Sequence, residues 1–170
     1  LGIAAVGVVV GVHSAMYFLQ IATGGLADRI GRRPPVILGM FLAGAGVLGM
    51  VLVEGYLAWA VMAAVSGLGM ALLYPNLMTV PSDAAHPTWR SAGMGVYRMW
   101  RDSGYAVGAI LIGLSMEFVS AEAAFYMTAL LMFISGGIVY VWMEETHPDF
   151  GTHEPPAPAR EQPSKTVPQD

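Results

Sequence analysis

What most constrains this chain is a succession of long apolar stretches that charge hardly interrupts. A helix crossing about 30 Å of hydrocarbon needs about 20 mostly apolar residues. Five stretches reach or approach that length: residues 1–23, 36–53, 57–80, 95–119 and 123–143. The second is short but has no polar side chain, so a small shift of register makes up the difference. The fold class expected is therefore an all-α integral membrane protein with five transmembrane helices.

Composition excludes the alternatives. Only 12% of the 170 residues are charged and 55% are hydrophobic, whereas a soluble domain carries about 25% charge. The deficit is concentrated: residues 1–143 hold six basic and six acidic groups, and the net charge of −4 comes from the segment 144–170. A segment so poor in charge cannot cover itself with a polar surface in water. A soluble enzyme, a nucleic-acid binder and a disordered protein are excluded as readings of the whole chain. With no cysteine there is no disulfide framework, no thiolate metal site and no thiol nucleophile, and no cofactor is expected. Residues 144–170 turn to Glu, Pro, Thr and Lys, with six prolines from Pro148 to Pro168, and are expected to be a disordered tail. The chain starts at Leu1, inside apolar sequence, without the basic region of a signal peptide. It is expected to be a piece of a longer protein.

Orientation follows from the basic residues. Arg29, Arg32, Arg33, Arg90, Arg98, Arg101, Arg160 and Lys165 all fall on one side if five helices alternate across the bilayer, while the other side shows Glu54 and Glu122. The basic side, with the tail, is expected to be cytoplasmic, in a multi-pass protein of the cell (plasma or inner) membrane.

Polar groups single out three of the five spans. The first carries His13, Tyr17 and Gln20 on one face, the third Ser66, Tyr74, Pro75 and Asn76, and the fourth Tyr97, Arg98, Arg101, Asp102, Ser103 and Tyr105. Intramembrane polar groups usually face a bundle interior or a water-filled cavity. These spans are expected to line a polar path, with the second and fifth flanking it. His13 lies about 15 Å along the helix from Thr23, near the bilayer midplane. There it either serves the path or bonds a partner helix. Tyr74 and Asn76 flank Pro75, which frees a carbonyl; they either bind a solute or mark a kink. Arg98, Arg101 and Asp102 share one helical face, where Arg98 can pair with Asp102. They read as a gate element or as arginines snorkelling to lipid phosphates. Asp102 should stay ionised beside two arginines, which weighs against proton carriage.

The strongest local signal is Gly24-Gly25-Leu26-Ala27-Asp28-Arg29-Ile30-Gly31-Arg32-Arg33, followed by Pro34-Pro35. Gly24 and Gly31 suit tight turns, Asp28 suits a helix N-terminus or an arginine, and the prolines suit the start of a helix. The segment resembles the signature loop of the major facilitator superfamily, G-x-L-A-D-R-x-G-R-R/K, which joins that family's second and third helices and recurs between the eighth and ninth. Three features favour the second position. A Pro-rich tail follows the last span, the third span has Ser66-Gly67-Leu68-Gly69-Met70 where an embedded arginine would mark a fourth helix, and His86 through Tyr105 is similar to the family's eleventh helix and its approach.

The resemblance implies helices eight to twelve of an MFS-type six-helix bundle. It implies a small-molecule substrate moved by alternating access around a midplane site, a coupling ion, the lipid bilayer and the missing N-terminal half as partners, and no nucleic acid. Gly24, Asp28, Arg29, Gly31, Arg32, Arg33, Arg98, Arg101 and Asp102 would serve the loop and gate. His13, Tyr17, Gln20, Tyr74, Asn76 and Tyr105 would line the path. A non-transporting scaffold or half-transporter subunit is the alternative. A membrane enzyme finds no support, since G-x-S-x-G and H-E-x-x-H are both absent.

Overall fold

The structure is a computed structural model and describes residues 2–146. Those residues form helices and short connections. Helix α1 (Ile3–Ala15) passes through a 3-10 turn, Met16–Leu19, into α2 (Gln20–Ile30); α3 (Arg33–Leu52), α4 (Tyr56–Ala84), α5 (Arg90–Phe118) and α6 (Ala121–Trp142) follow. Four stretches are long and apolar enough to cross a bilayer: Ile3–Ile30, Arg33–Leu52, Tyr56–Asp83 and Ala121–Trp142. α5 has the length but not the composition, because Arg98, Arg101 and Asp102 interrupt its apolar residues. None of its residues is buried.

The connections are tighter than the sequence suggests. Gly24 and Gly25 stay helical in α2, so the turn expected at Gly24 does not form there. Gly31 makes it alone, at φ +91°, a conformation only glycine adopts without strain. Pro34 and Pro35 then occupy the first turn of α3, where a missing N–H leaves nothing unpaired. α4 runs through both Pro75 and Pro81.

Pro75 leaves the carbonyl of Ala71 without its intrahelical donor. The Thr23 hydroxyl of α2 donates to that oxygen at 2.7 Å in a buried bond. One turn of proline damage thus becomes a tie between two helices. Asn76, fully enclosed, donates its side-chain amide to the Leu72 carbonyl at 2.8 Å.

α4 touches every other described helix except α6, and α3 packs between α4 and α6. Small residues in place of polar ones carry the contact, because they let helix backbones approach closely. Gly39 meets the Gly69 carbonyl and Leu73, Gly46 meets Ser66, and Ala43 is fully buried. On the opposite side Gly44 lies against Met132 and Phe133, and Gly136 lies against Met40 and Phe41. By contrast α1, which has no buried residue, and α5 leave wide apolar faces open.

Candidate functional site

Two groups of polar residues stand out, one at the Gly31 end of the bundle and one midway along it. At the Gly31 end, α2 closes with Asp28 accepting from Arg32 at 2.8 Å. Arg32 also reaches Asp83 at the end of α4, 3.4 Å away, and its side chain is only 13% exposed. Of the two partners foreseen for Asp28, an arginine is the one found.

The helix N-terminus goes to Glu145 instead. Its carboxylate accepts from the backbone N–H groups of Arg32 and Arg33 at 2.8 and 3.0 Å, placing negative charge where the dipole of α3 favours it. A side chain at Gly31 would collide with this carboxylate, so Gly31 is needed for space as well as for its backbone angle. Arg33 completes the attachment: it donates to the Tyr140 carbonyl at 2.6 Å and lies 5.9 Å from the centre of that ring. The signature motif is thereby clamped to the end of α6. Arg29 is exposed.

Glu145 and Asp83 escape the sequence reading. Glu145 opens the Pro-rich segment whose composition reads as disordered, yet residues 144–146 are ordered against the motif; residues 147–170 of that expected tail lie outside the described residues. The available signal was two glutamates directly after a span, facing a loop with three arginines.

Midway along the bundle, α1 presents His13 and the 3-10 turn that follows it presents Tyr17. The His13 Nδ1 faces the Ala63 carbonyl of α4 at 3.3 Å, and its Nε2 faces the Tyr17 hydroxyl at 3.2 Å. A carbonyl can only accept, so Nδ1 donates to Ala63, while Nε2 pairs with the Tyr17 hydroxyl. The two rings meet edge to face with centroids 5.4 Å apart. His13 is therefore held on both nitrogens, the helix-bonding alternative. His13→Ala is expected to destabilise the intact protein by roughly 1–3 kcal/mol, read as a lower melting temperature. An unchanged melting temperature with altered solute affinity would assign His13 to the path instead.

Tyr17 is partly buried, while Tyr74 of α4 and Tyr105 of α5 are exposed. Arg101 of α5 is stacked 6.0 Å from the Tyr97 ring centre. Its Nε donates to Asp102 at 2.9 Å and one terminal nitrogen reaches the Met78 sulfur at 3.9 Å. The expected Arg98–Asp102 pair is not the one formed: the guanidinium of Arg101 folds back onto its neighbour, and Arg98 stays exposed. Helical rise puts Tyr74 about 15 Å, Arg101 about 16 Å and Tyr17 about 20 Å from the Gly31 end of their helices. Asn76 does not share this face, being enclosed between helices. Gln20 is half-buried, and its backbone carbonyl accepts from Thr23.

Comparison with known proteins places this geometry in context. The chain matches the family described as Major Facilitator Superfamily over residues 1–168. It is 26% identical to the uncharacterized MFS-type transporter YhjO of Bacillus subtilis over 131 residues, covering 77% of this chain and 32% of that protein. It is 32% identical to the multidrug resistance protein MdtH of Aeromonas hydrophila over 93 residues, covering 55% of this chain and 23% of that protein. Among solved structures it is similar to a mutant of the peptide transporter POT in complex with alafosfalin, with a TM-score of 0.73 and 26% identity, over 88% of this chain and 31% of that one. The chain thus spans a third or less of the proteins it matches.

Proposed function

The chain belongs to the Major Facilitator Superfamily, and from that premise we propose that it is the C-terminal portion, helices eight to twelve, of a secondary active transporter. The intact protein moves a small solute by alternating access, driven by an ion gradient. It sits in the plasma or inner membrane with the Gly31 end and the C-terminus in the cytoplasm. The relatives differ in the cargo their names give, so cargo is not carried over from them.

The observation that carries this reading is Arg101, stacked on Tyr97 and reaching Met78 of α4, on a face that the described residues leave open and where Tyr74 and Tyr105 are also exposed. An ionisable group within a membrane-spanning segment is costly and marks a solute or ion pathway by default. In this family's architecture the second half-bundle closes such a face into a cavity. The five-helix unit, 1–143 in the sequence reading, supplies one wall. The clamp of Asp28, Arg32, Asp83 and Glu145 holds the cytoplasmic end of that wall together as it tilts.

Reconstitution of the full-length protein into vesicles tests the function. Uptake and counterflow across a panel of amino acids, short peptides, organic anions and cationic drugs should reveal saturable flux of at least one class, accelerated by an imposed proton or sodium gradient. A folded full-length protein that moves none of them in either direction would support a scaffold or half-transporter subunit instead.

A further inference from the structure

We propose that Arg101, with the tyrosines beside it, forms an anion-recognising subsite, so that the cargo is a small organic anion with a flat apolar body and not a lipophilic cation. The proposal rests on the transporter reading above and names its substrate class. Three observations on the polar face carry it.

The first is charge. At this depth the face carries Arg98, Arg101 and Asp102, two positive groups against one negative. The other acidic residues of the described helices lie at the bundle's ends: Asp28 and Asp83 at one, Glu54, Glu117 and Glu122 at the other. Among the described residues, a cation arriving midway would find only Asp102, whose carboxylate already accepts from Arg101.

The second is unspent donors. Arg101 offers five N–H groups; among the described residues one is spent on Asp102 and one weakly on the Met78 sulfur, and 26% of the side chain is open. A planar guanidinium with free N–H groups matches a carboxylate or sulfonate through paired hydrogen bonds. The Tyr17 hydroxyl is paired with His13, but the Tyr74 and Tyr105 hydroxyls, on residues 39% and 62% exposed, remain able to donate to an anion.

The third is shape. The Tyr97 ring lies 6.0 Å from the guanidinium, and the Tyr74 and Tyr105 rings are exposed on the same side of the bundle's open face. Aromatic faces favour a flat apolar partner in offset or edge-to-face contact. A charged head on Arg101 and a planar body between the rings would fill both halves of such a site.

The test uses the purified full-length protein and three flat aromatic probes of similar size and different charge: salicylate, benzamide and benzamidine. Calorimetry and thermal melting should show salicylate binding and stabilising, with benzamide and benzamidine much weaker. Arg101→Gln should weaken salicylate binding by about ten- to a hundredfold. Arg101→Lys, which keeps the charge and loses the fork, should fold and weaken it less, and it replaces the glutamine variant should that one not fold. Benzamidine binding as tight as salicylate, salicylate affinity unchanged in both variants, or no binding of any probe overturns the proposal. Flux of a cationic solute by a protein indifferent to salicylate would overturn it while leaving the transporter reading intact. Absence of all flux in the vesicle panel would overturn that reading.

Discussion

Gly69→Val is expected to prevent the bundle from assembling, seen as loss of monodisperse full-length protein after extraction from the membrane. A Cβ at position 69 would fall on the backbone nitrogen of Ala43 and lie 2.7 Å from the Gly39 carbonyl oxygen and 2.8 Å from the Ala43 Cα. These are backbone atoms, so no change of side-chain rotamer relieves the clash and α3 must move away from α4. Ordinary overpacking costs about 1–3 kcal/mol. Here the displacement also opens the adjoining contacts of Ala43, Gly46 and Ser66, so the loss should exceed that range. Gly69→Ala should fold with a clearly lower melting temperature. Gly137→Ala, where the added methyl meets nothing within 4 Å, should leave melting unchanged or slightly raised, because alanine favours the helix by about 1 kcal/mol. Equal melting of the two alanine variants would refute the close approach of α3 and α4.

Arg32→Gln is expected to lower transport by the full-length protein at least tenfold while insertion and yield stay near normal. The stability argument is deliberately small. The partners of Arg32 are partly open to solvent, Asp28 at 61% and Asp83 at 25%, and exposed ion pairs contribute only about 0–1 kcal/mol. Arg32 nonetheless joins the end of α2 to the end of α4, while its own backbone N–H holds Glu145 beyond α6. An element that must tilt as a unit loses that coordination when the hub goes. Asp28→Asn removes only one of the two pairs and should cost less. Initial rates at matched protein density check both, and wild-type rates in Arg32→Gln would reduce the motif to a marker of orientation.

The apolar runs made the helical membrane fold legible, since no other structure accommodates them, and the motif from Gly24 to Arg33 made the family legible. The polar stripe of His13 and Tyr17 was equally readable, because a spacing of four places both on one helical face. What the sequence could not show were partners far apart along the chain. Thr23 meets the carbonyl that Pro75 frees, 48 residues away, and Glu145 meets Arg32 across 113. Nothing local announces either pairing. Composition was misleading once: it read Glu145 with the Pro-rich residues that follow it, although a carboxylate beside an open helix N-terminus has a strong reason to dock. The ion pair of Asp102 was assigned by spacing to Arg98, but a long guanidinium reached back from the adjacent residue instead.

The central claim is that the open polar face is a solute path reached from both sides of the membrane in turn. Because the chain contains no cysteine, Tyr74→Cys in a full-length protein cleared of cysteines elsewhere reports on that face directly. A membrane-impermeant thiol reagent should label position 74 from either side, and labelling from one side should fall as labelling from the other rises when solute or an ion gradient is applied. Labelling confined to a single side under every condition would contradict alternating access through this face.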